Sequence, residues 1–275
     1  MNRKKLLISL AMAMLSMAGL AADNLPALRV EGRNLVDANG KIVVLHGVMD
    51  TPNRYFNGWR WQQWKPDYSE ADIKPCLEYF SKQFSAITDK KQGAYCTVFR
   101  LHMDPCWTND PAKKVENEAD ISAFNMARYR RYLQKLYIPL IKDAIAHGLY
   151  VIVRPPGVCP GDISVGDRYN SYLKGIWKAF AVDEYIKQNE GVISIELANE
   201  PVRVHLSDGT NSERALHDYF QPVVDVIREQ GFKGIIWFRA QVIRVSTRIT
   251  SSILSPIART TSLMQYMFIP GGMEI

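Results

Sequence analysis

From Cys96 onward the chain alternates between two patterns. Short apolar runs rich in β-branched residues, Cys96–Leu101, Leu149–Val153, Val192–Leu197 and Gly234–Trp237, are too brief for helices and read as strands buried on both faces. The stretches Phe124–His147, Tyr172–Asn189 and Glu213–Gln230 carry helical spacing, and each is stopped by a glycine, Gly148, Gly191 or Gly231, just before the next apolar run. The repeating unit is helix, glycine stop, strand, which implies parallel pairing through crossover helices. Upstream, Leu28–Asp37 and Lys41–Val48 flank Ala38-Asn39-Gly40 and predict a hairpin on an Asn-Gly turn.

Parallel strands and helices build either a doubly wound sheet or a β/α barrel. No Gly-x-Gly-x-x-Gly or Walker loop follows any strand, which removes the usual nucleotide argument for the open sheet. Polar residues instead collect at the C-terminal ends of successive strands: Asp50 after the first, Arg100, His102 and Asp104 after the second, Arg154 after the third, Asn199 and Glu200 after the fourth. That rim is where a β/α barrel holds its active site. The expected fold class is therefore α/β, a (β/α)8 TIM barrel, and only five strands are recognisable, as though it were truncated after the fifth.

Composition adds boundaries rather than a new picture. With 275 residues, 47% of them hydrophobic, the chain can bury a full core as one large domain. The formal net charge of +6 sits at the two ends: residues 1–22 and residues 239–275 each contribute +3, so the body is neutral and carries no nucleic-acid footprint. Residues 1–22 read as a signal peptide, with Arg3, Lys4 and Lys5 before an apolar stretch and small residues at Ala21 and Ala22. Export to the periplasm or the medium is thus expected, with no membrane association once the signal is removed. It would make disulfides possible among Cys76, Cys96, Cys106 and Cys159, with all three pairings open. No Cys-x-x-Cys pair or matching histidine suggests a metal site.

The most informative stretch is Ile193-Ser-Ile-Glu-Leu-Ala-Asn-Glu-Pro201, an apolar strand ending in Asn199-Glu200-Pro201. It places a carboxylic acid on a rigid element at the mouth of the core, and partial burial there would favour the protonated form that donates a proton. Together with Val98-Phe-Arg-Leu101 and Leu45-His-Gly-Val48, this motif resembles glycoside hydrolase family 5, the cellulase family of the β/α-barrel glycosidases, over about Leu28 to Trp237. The resemblance implies that Glu200 is the general acid/base, that Asn199 hydrogen-bonds the sugar 2-hydroxyl and that Arg100 orients the catalytic nucleophile. It also implies that His102 and Trp107 lie near the groove. Arg154-Pro-Pro156 departs from it, standing where many members carry a histidine. Trp59, Trp61, Trp64 and Trp107 occupy loops, where aromatic rings either stack on sugar faces or plug the barrel ends.

A retaining glycosidase needs two carboxylates about 5–5.5 Å apart. Only one is visible here; Glu213 and Glu229 lie in a helical stretch and Glu274 is next to last. From Arg239 the chain also loses its rhythm, with nine Ser or Thr in 37 residues and no Lys or Asp. Read one base out of frame, Met264–Ile275 is compatible with A-V-H-V-Y-P-G-W-Y-G-N, the form expected of the family's His-x-Tyr strand. Residues 238–275 thus read as an atypical, frame-shifted tail, after a signal at 1–22 and a partial catalytic domain at 23–237.

The resemblance implies a monomeric secreted endo-β-1,4-glucanase that cleaves internal bonds of a β-glucan by a retaining mechanism without a cofactor. Alternatives are a mannanase or xylanase of the same clan and a non-catalytic carbohydrate-binding remnant.

Overall fold

The structure, a computed structural model, describes residues 25–53, 68–212 and 214–238, with the backbone of Ser262–Leu263. The expected signal segment, Trp59, Trp61, Trp64, Glu213 and most of the tail after Phe238 lie outside the described residues.

The chain enters through an antiparallel pair, β1 (Arg29–Glu31) and β2 (Asn34–Val36). The expected hairpin is thereby divided. The β1–β2 turn forms at Gly32, and the Asn39-Gly40 turn follows, organised by the Asp37 carboxylate, which accepts from the Asn39 and Lys41 amides at 2.9 Å each. The second turn closes only a single bridge, Val36 to Ile42, and the chain then runs on into β3 (Gly47–Asp50), the first strand of the main sheet. The Asn39-Gly40 turn forms as its local chemistry predicts, but the strand after it belongs to a different sheet.

The body then repeats. Helix α1 (Ile73–Thr88) leads to β4 (Val98–His102) and the short α2 (Pro105–Thr108). Helices α3 (Met126–Tyr132) and α4 (Ile138–Ala146) are joined by a π turn, Leu133–Tyr137, just ahead of Pro139, whose missing N–H interrupts the i to i−4 ladder. After Gly148, in the left-handed region at φ +80°, comes β5 (Tyr150–Arg154). The strand β6 (Asp162–Ser164) precedes α5 (Arg168–Ala181) and α6 (Glu184–Gln188). One long helix was expected here. Asp183 breaks it, because its carboxylate caps a new helix by accepting from the Tyr185 and Ile186 amides. Then follow β7 (Ile193–Glu196), β8 (Arg203–His205), α7 (Ala215–Glu229), β9 (Ile236–Trp237) and β10 (Ser262–Leu263).

The main sheet has the order β3-β4-β5-β7-β9-β10, parallel throughout. Its strands lie side by side in chain order, without the reversal that defines a doubly wound sheet, so the fold is that of a β/α barrel, here as an arc of one. A second parallel pair, β6 with β8, ties the loop after β5 to the loop after β7.

Strand alternation sends residues to two separate cores. Phe99, Leu101, Val151, Val153, Ile193 and Ile195 face outward into the large cluster shared with the helices, where Phe84, Ile141, Trp177 and Phe220 are fully buried. Val98, Tyr150 and Ile152 face the barrel interior and form a smaller cluster with Leu25, Leu28, Leu45, Val192 and Trp237. All four cysteines are free in this structure, Cys76 and Cys159 buried and Cys96 and Cys106 partly so. Among the described residues no helix is long and apolar enough to cross a membrane, and no group of three or more His, Cys, Asp or Glu could hold a metal ion.

The start of β3 is set by close approach to β4. A Cβ on Gly47 would lie 1.8 Å from the Val98 carbonyl oxygen, which is backbone and cannot yield. Gly47→Ala is therefore expected to destabilise by about 3 kcal/mol, against about 1 kcal/mol for Gly148→Ala, whose strain is conformational and whose surroundings are open. Urea-unfolding midpoints of the two variants provide the comparison; equal losses would show that contact with β4 does not fix Gly47.

Candidate active site

The inward-facing positions change character toward the C-terminal ends of the strands. Above Val98 and Tyr150 the register aligns Met49, Arg100, Ile152 and Ser194, and above these His102, Arg154 and Glu196, with Asn199 beyond the end of β7. Arg100, Glu196, His102, Arg154 and Asn199 are all buried, so each polar atom needs a partner within the protein.

Arg100 reaches across β5 to Glu196 and makes a bidentate pair, Nε to Oε2 at 2.6 Å and Nη2 to Oε1 at 2.5 Å. Both guanidinium groups converge on Asn199: its Oδ1 accepts from Arg100 Nη2 at 3.2 Å and from Arg154 Nη1 at 2.7 Å. Guanidinium groups only donate, so the amide must turn its oxygen inward, leaving the Asn199 NH2 as the donor directed away from the arginines. The backbone of the motif is held as firmly. Leu197 N donates to the Trp237 carbonyl at 3.1 Å, the Trp177 indole donates to the Leu197 carbonyl at 2.9 Å, and Cys159 N donates to the Asn199 carbonyl at 3.0 Å.

Between this fixed asparagine and the buried Pro201 stands Glu200, the one non-glycine residue among those described with a positive φ, +54°. A left-handed conformation costs a residue with a Cβ about 1–2 kcal/mol, and the position before proline disfavours helical backbone further. Glu200 is turned out of the strand direction and its residue is exposed, not partly buried as the motif alone suggested. The β strand ends at Glu196, so the Asn199-Glu200 segment is already loop, which places the carboxyl at the rim.

The electrostatics are set by two buried guanidinium groups beside one fully buried carboxylate. Burial and the neighbouring Arg100 charge lower Arg154 to about 10, which leaves it charged at neutral pH. Burial, then Arg154 and Arg100, hold His102 well below the usual imidazole range, so it is neutral at physiological pH. Glu118, on the loop after α2, brings its carboxylate to 4.0 Å from His102 Nε2; burial and Asp104 raise its pKa against the opposing pull of Arg154.

The structure brings together Arg100, His102, Asn199 and Glu200 as expected from the sequence, and it removes Trp107. That ring is fully buried, stacked on Tyr68 at 4.7 Å and met edge-on by Tyr132 at 5.0 Å, with its indole N–H donating to the Pro52 carbonyl at 2.7 Å. Both its apolar surface and its donor are used, so it is a core residue and has no face to offer a sugar. Asp104 is also withdrawn: its carboxylate caps α2 at Cys106 N and accepts from Thr51 and Asn53. Glu229 ends α7, at the opposite end of the barrel from the strand C-termini.

Sequence reasoning missed Glu196 and Glu118. Glu196 did leave a signal: Ser194 and Glu196 alternate with Ile193 and Ile195 in a strand buried on both faces, so the polar pair had to face a polar interior. Glu118 lies in an irregular loop and left none.

The family model described as Cellulase (glycosyl hydrolase family 5) matches residues 66–252. Among solved structures, a β-mannanase from Thermomonospora fusca in complex with mannohexaose has a TM-score of 0.51 at 12% identity, covering 89% of this chain and 67% of that one. A β-glucanase from Saccharophagus degradans has a TM-score of 0.50 at 13% identity, covering 85% of this chain and 60% of that one. The chain thus spans about two thirds of the length of these structures, and at such identity the likeness is one of fold. No curated protein matches the chain.

Removing one partner of a buried ion pair strands the other. Glu196→Ala is expected to cost about 3–5 kcal/mol, whereas the double variant Arg100→Met with Glu196→Leu should recover more than half of that. Urea unfolding checks both; an unchanged midpoint for Glu196→Ala would refute the buried pair.

Proposed function

The chain belongs to glycosyl hydrolase family 5, and from that premise we propose that it is an exported endo-β-1,4-glucanase that hydrolyses internal β-glycosidic bonds with retention. The observation that carries this reading is the clamp on Asn199, which fixes the segment bearing Glu200 at the C-terminal mouth of the barrel. In this reading Glu200, exposed at the rim, protonates the glycosidic oxygen as the bond breaks and later takes a proton from the attacking water. Asn199 offers its NH2 to the sugar 2-hydroxyl, since both arginines hold its oxygen. Glu196 has both oxygens engaged by Arg100 and is a positioning residue, and the nucleophile is assigned to no described residue.

Support for a polysaccharide substrate comes from the family. A β-mannanase and a β-glucanase share the fold, so mannan is the comparison substrate in the test. Any hydrolysis of carboxymethyl-cellulose by the full chain, read as reducing ends, should fall by a factor of about 10²–10⁴ in Glu200→Gln, with binding retained. Hydrolysis unchanged by the substitution sinks the acid/base assignment. Binding without hydrolysis in the unmodified chain supports a carbohydrate-binding protein instead, and faster turnover of mannan moves the substrate.

The shifted-frame reading of the tail is tested on the coding DNA across Trp237 and Phe238. An additional base there should restore a His-x-Tyr strand and a second glutamate; confirmation of the sequence as it stands refutes the shift.

A further inference from the structure

The mouth contains a second polar constellation that the acid/base reading does not use. Among the described residues, His102 Nε2 is buried without a hydrogen-bond partner, and the same holds for Arg154 Nε. The group facing His102 Nε2 is the Glu118 carboxylate, whose Oε2 is 4.0 Å away, too far for a direct hydrogen bond. An unsatisfied buried polar atom costs about 1–3 kcal/mol, so two of them on adjoining strands call for an explanation.

The position of Glu118 is built into the fold. Its carbonyl accepts from Val158 N at 3.2 Å, and Gly157, at φ +78°, is pressed so close that a Cβ would lie 2.3 Å from the same oxygen. Gly157 in turn gives its carbonyl to Arg154 Nη2 at 3.4 Å. The loop after β4 and the loop after β5 are thereby locked together next to Arg154, and the Glu118 side chain, about half-exposed, stands beside the buried His102.

The spacing suits one kind of group. Once the half-exposed Glu118 side chain shifts to admit it, an oxygen at an ordinary hydrogen-bond length of about 2.8 Å from both atoms spans a gap of 4.0 Å with an angle of about 90°. A hydroxyl satisfies both partners whichever imidazole nitrogen carries the proton. It accepts from Nε2–H while donating to the carboxylate, or it donates to a bare Nε2 while accepting from a protonated Glu118. Arg154 adds donors beside it. A carboxylate ligand would be drawn by the arginines but repelled by Glu118, so the set favours an uncharged polyol.

We propose that Glu118, His102 and Arg154 form a sugar-hydroxyl pocket on the β4–β5 side of the mouth, with Glu118 fixing one hydroxyl of an uncharged β-glycan ring. The inference rests on the reading of this mouth as a polysaccharide site, and its test separates the two. Calorimetric titration of the full chain with cellopentaose, mannopentaose and a glucuronate-bearing xylo-oligosaccharide gives the reference affinities. Glu118→Ala should weaken binding of an uncharged oligosaccharide by about tenfold, with Glu118→Gln intermediate because an amide still pairs with a hydroxyl. Urea midpoints of both variants should stay near that of the unmodified chain, since the substituted side chain is half in solvent. The His102 Nε2 nitrogen resonance should move when the sugar is added to the unmodified chain. Unaltered affinity in Glu118→Ala, a still resonance, or binding of the glucuronate-bearing sugar alone would overturn the pocket. Absence of any sugar binding by the unmodified chain would take down the polysaccharide reading, and the pocket with it.

Discussion

Arg100 and Arg154 keep their charges in an interior that excludes water, where an unpaired guanidinium would cost on the order of several kcal/mol. One carboxylate, Glu196, is fully buried with them, and its two oxygens are taken by Arg100. Two nitrogens of Arg154, Nη1 and Nη2, go to neutral acceptors, the Asn199 amide oxygen and the Gly157 carbonyl. The need to satisfy the donors of two buried guanidinium groups therefore fixes the orientation of Asn199, the course of the loop after β5 and the point at which β7 gives way to loop. Glu200 inherits its place from that arrangement. Its left-handed backbone is held because the residue before it and the proline after it are both buried.

The barrel architecture makes this possible by separating two environments that an ordinary two-layer sheet would mix. Outward positions meet helices and carry the bulk of apolar burial. Inward positions are most apolar toward the strand N-termini, where Val98 and Tyr150, with Ile152 one position above, pack against the entry segment and Trp237. Stability can then reside largely in the outer core, while the upper interior is left for charge. The neutral state of His102 follows from the same cause. Burial and two positive neighbours make a second cation there unfavourable, so the imidazole acts as a neutral hydrogen-bonding group rather than as an ion-pair partner.

The β/α alternation, the parallel pairing and the rim of polar residues were all legible in the sequence, because each depends on local periodicity and on glycine at helix ends. Arg100, His102, Asn199 and Glu200 were legible for the same reason: they close apolar runs, and the end of a buried strand has one place to go. What failed did so where two structures share one local pattern. Trp107 in a loop looks the same whether it faces a sugar or the core, since the hydrophobic effect is non-directional and only neighbouring elements supply Tyr68 and Tyr132. Asp183 had the composition of a helix interior and acted as a cap, and the strand expected at Lys41–Val48 was shared between two sheets.

Local periodicity along the chain is enough to set which segments form strands and helices and which carboxylic acid and amide stand together at a strand mouth. Tertiary structure alone decided the partners. Arg100 and Glu196 are 96 positions apart and meet because the register across β5 sets Glu196 one inward-facing position beyond Arg100, within reach of its long side chain. Glu118, in an irregular loop, comes to His102 only because Gly157 lets the next loop lie against its backbone. Pairing of this kind depends on distances between elements, and no periodicity along a single chain encodes a distance across the barrel.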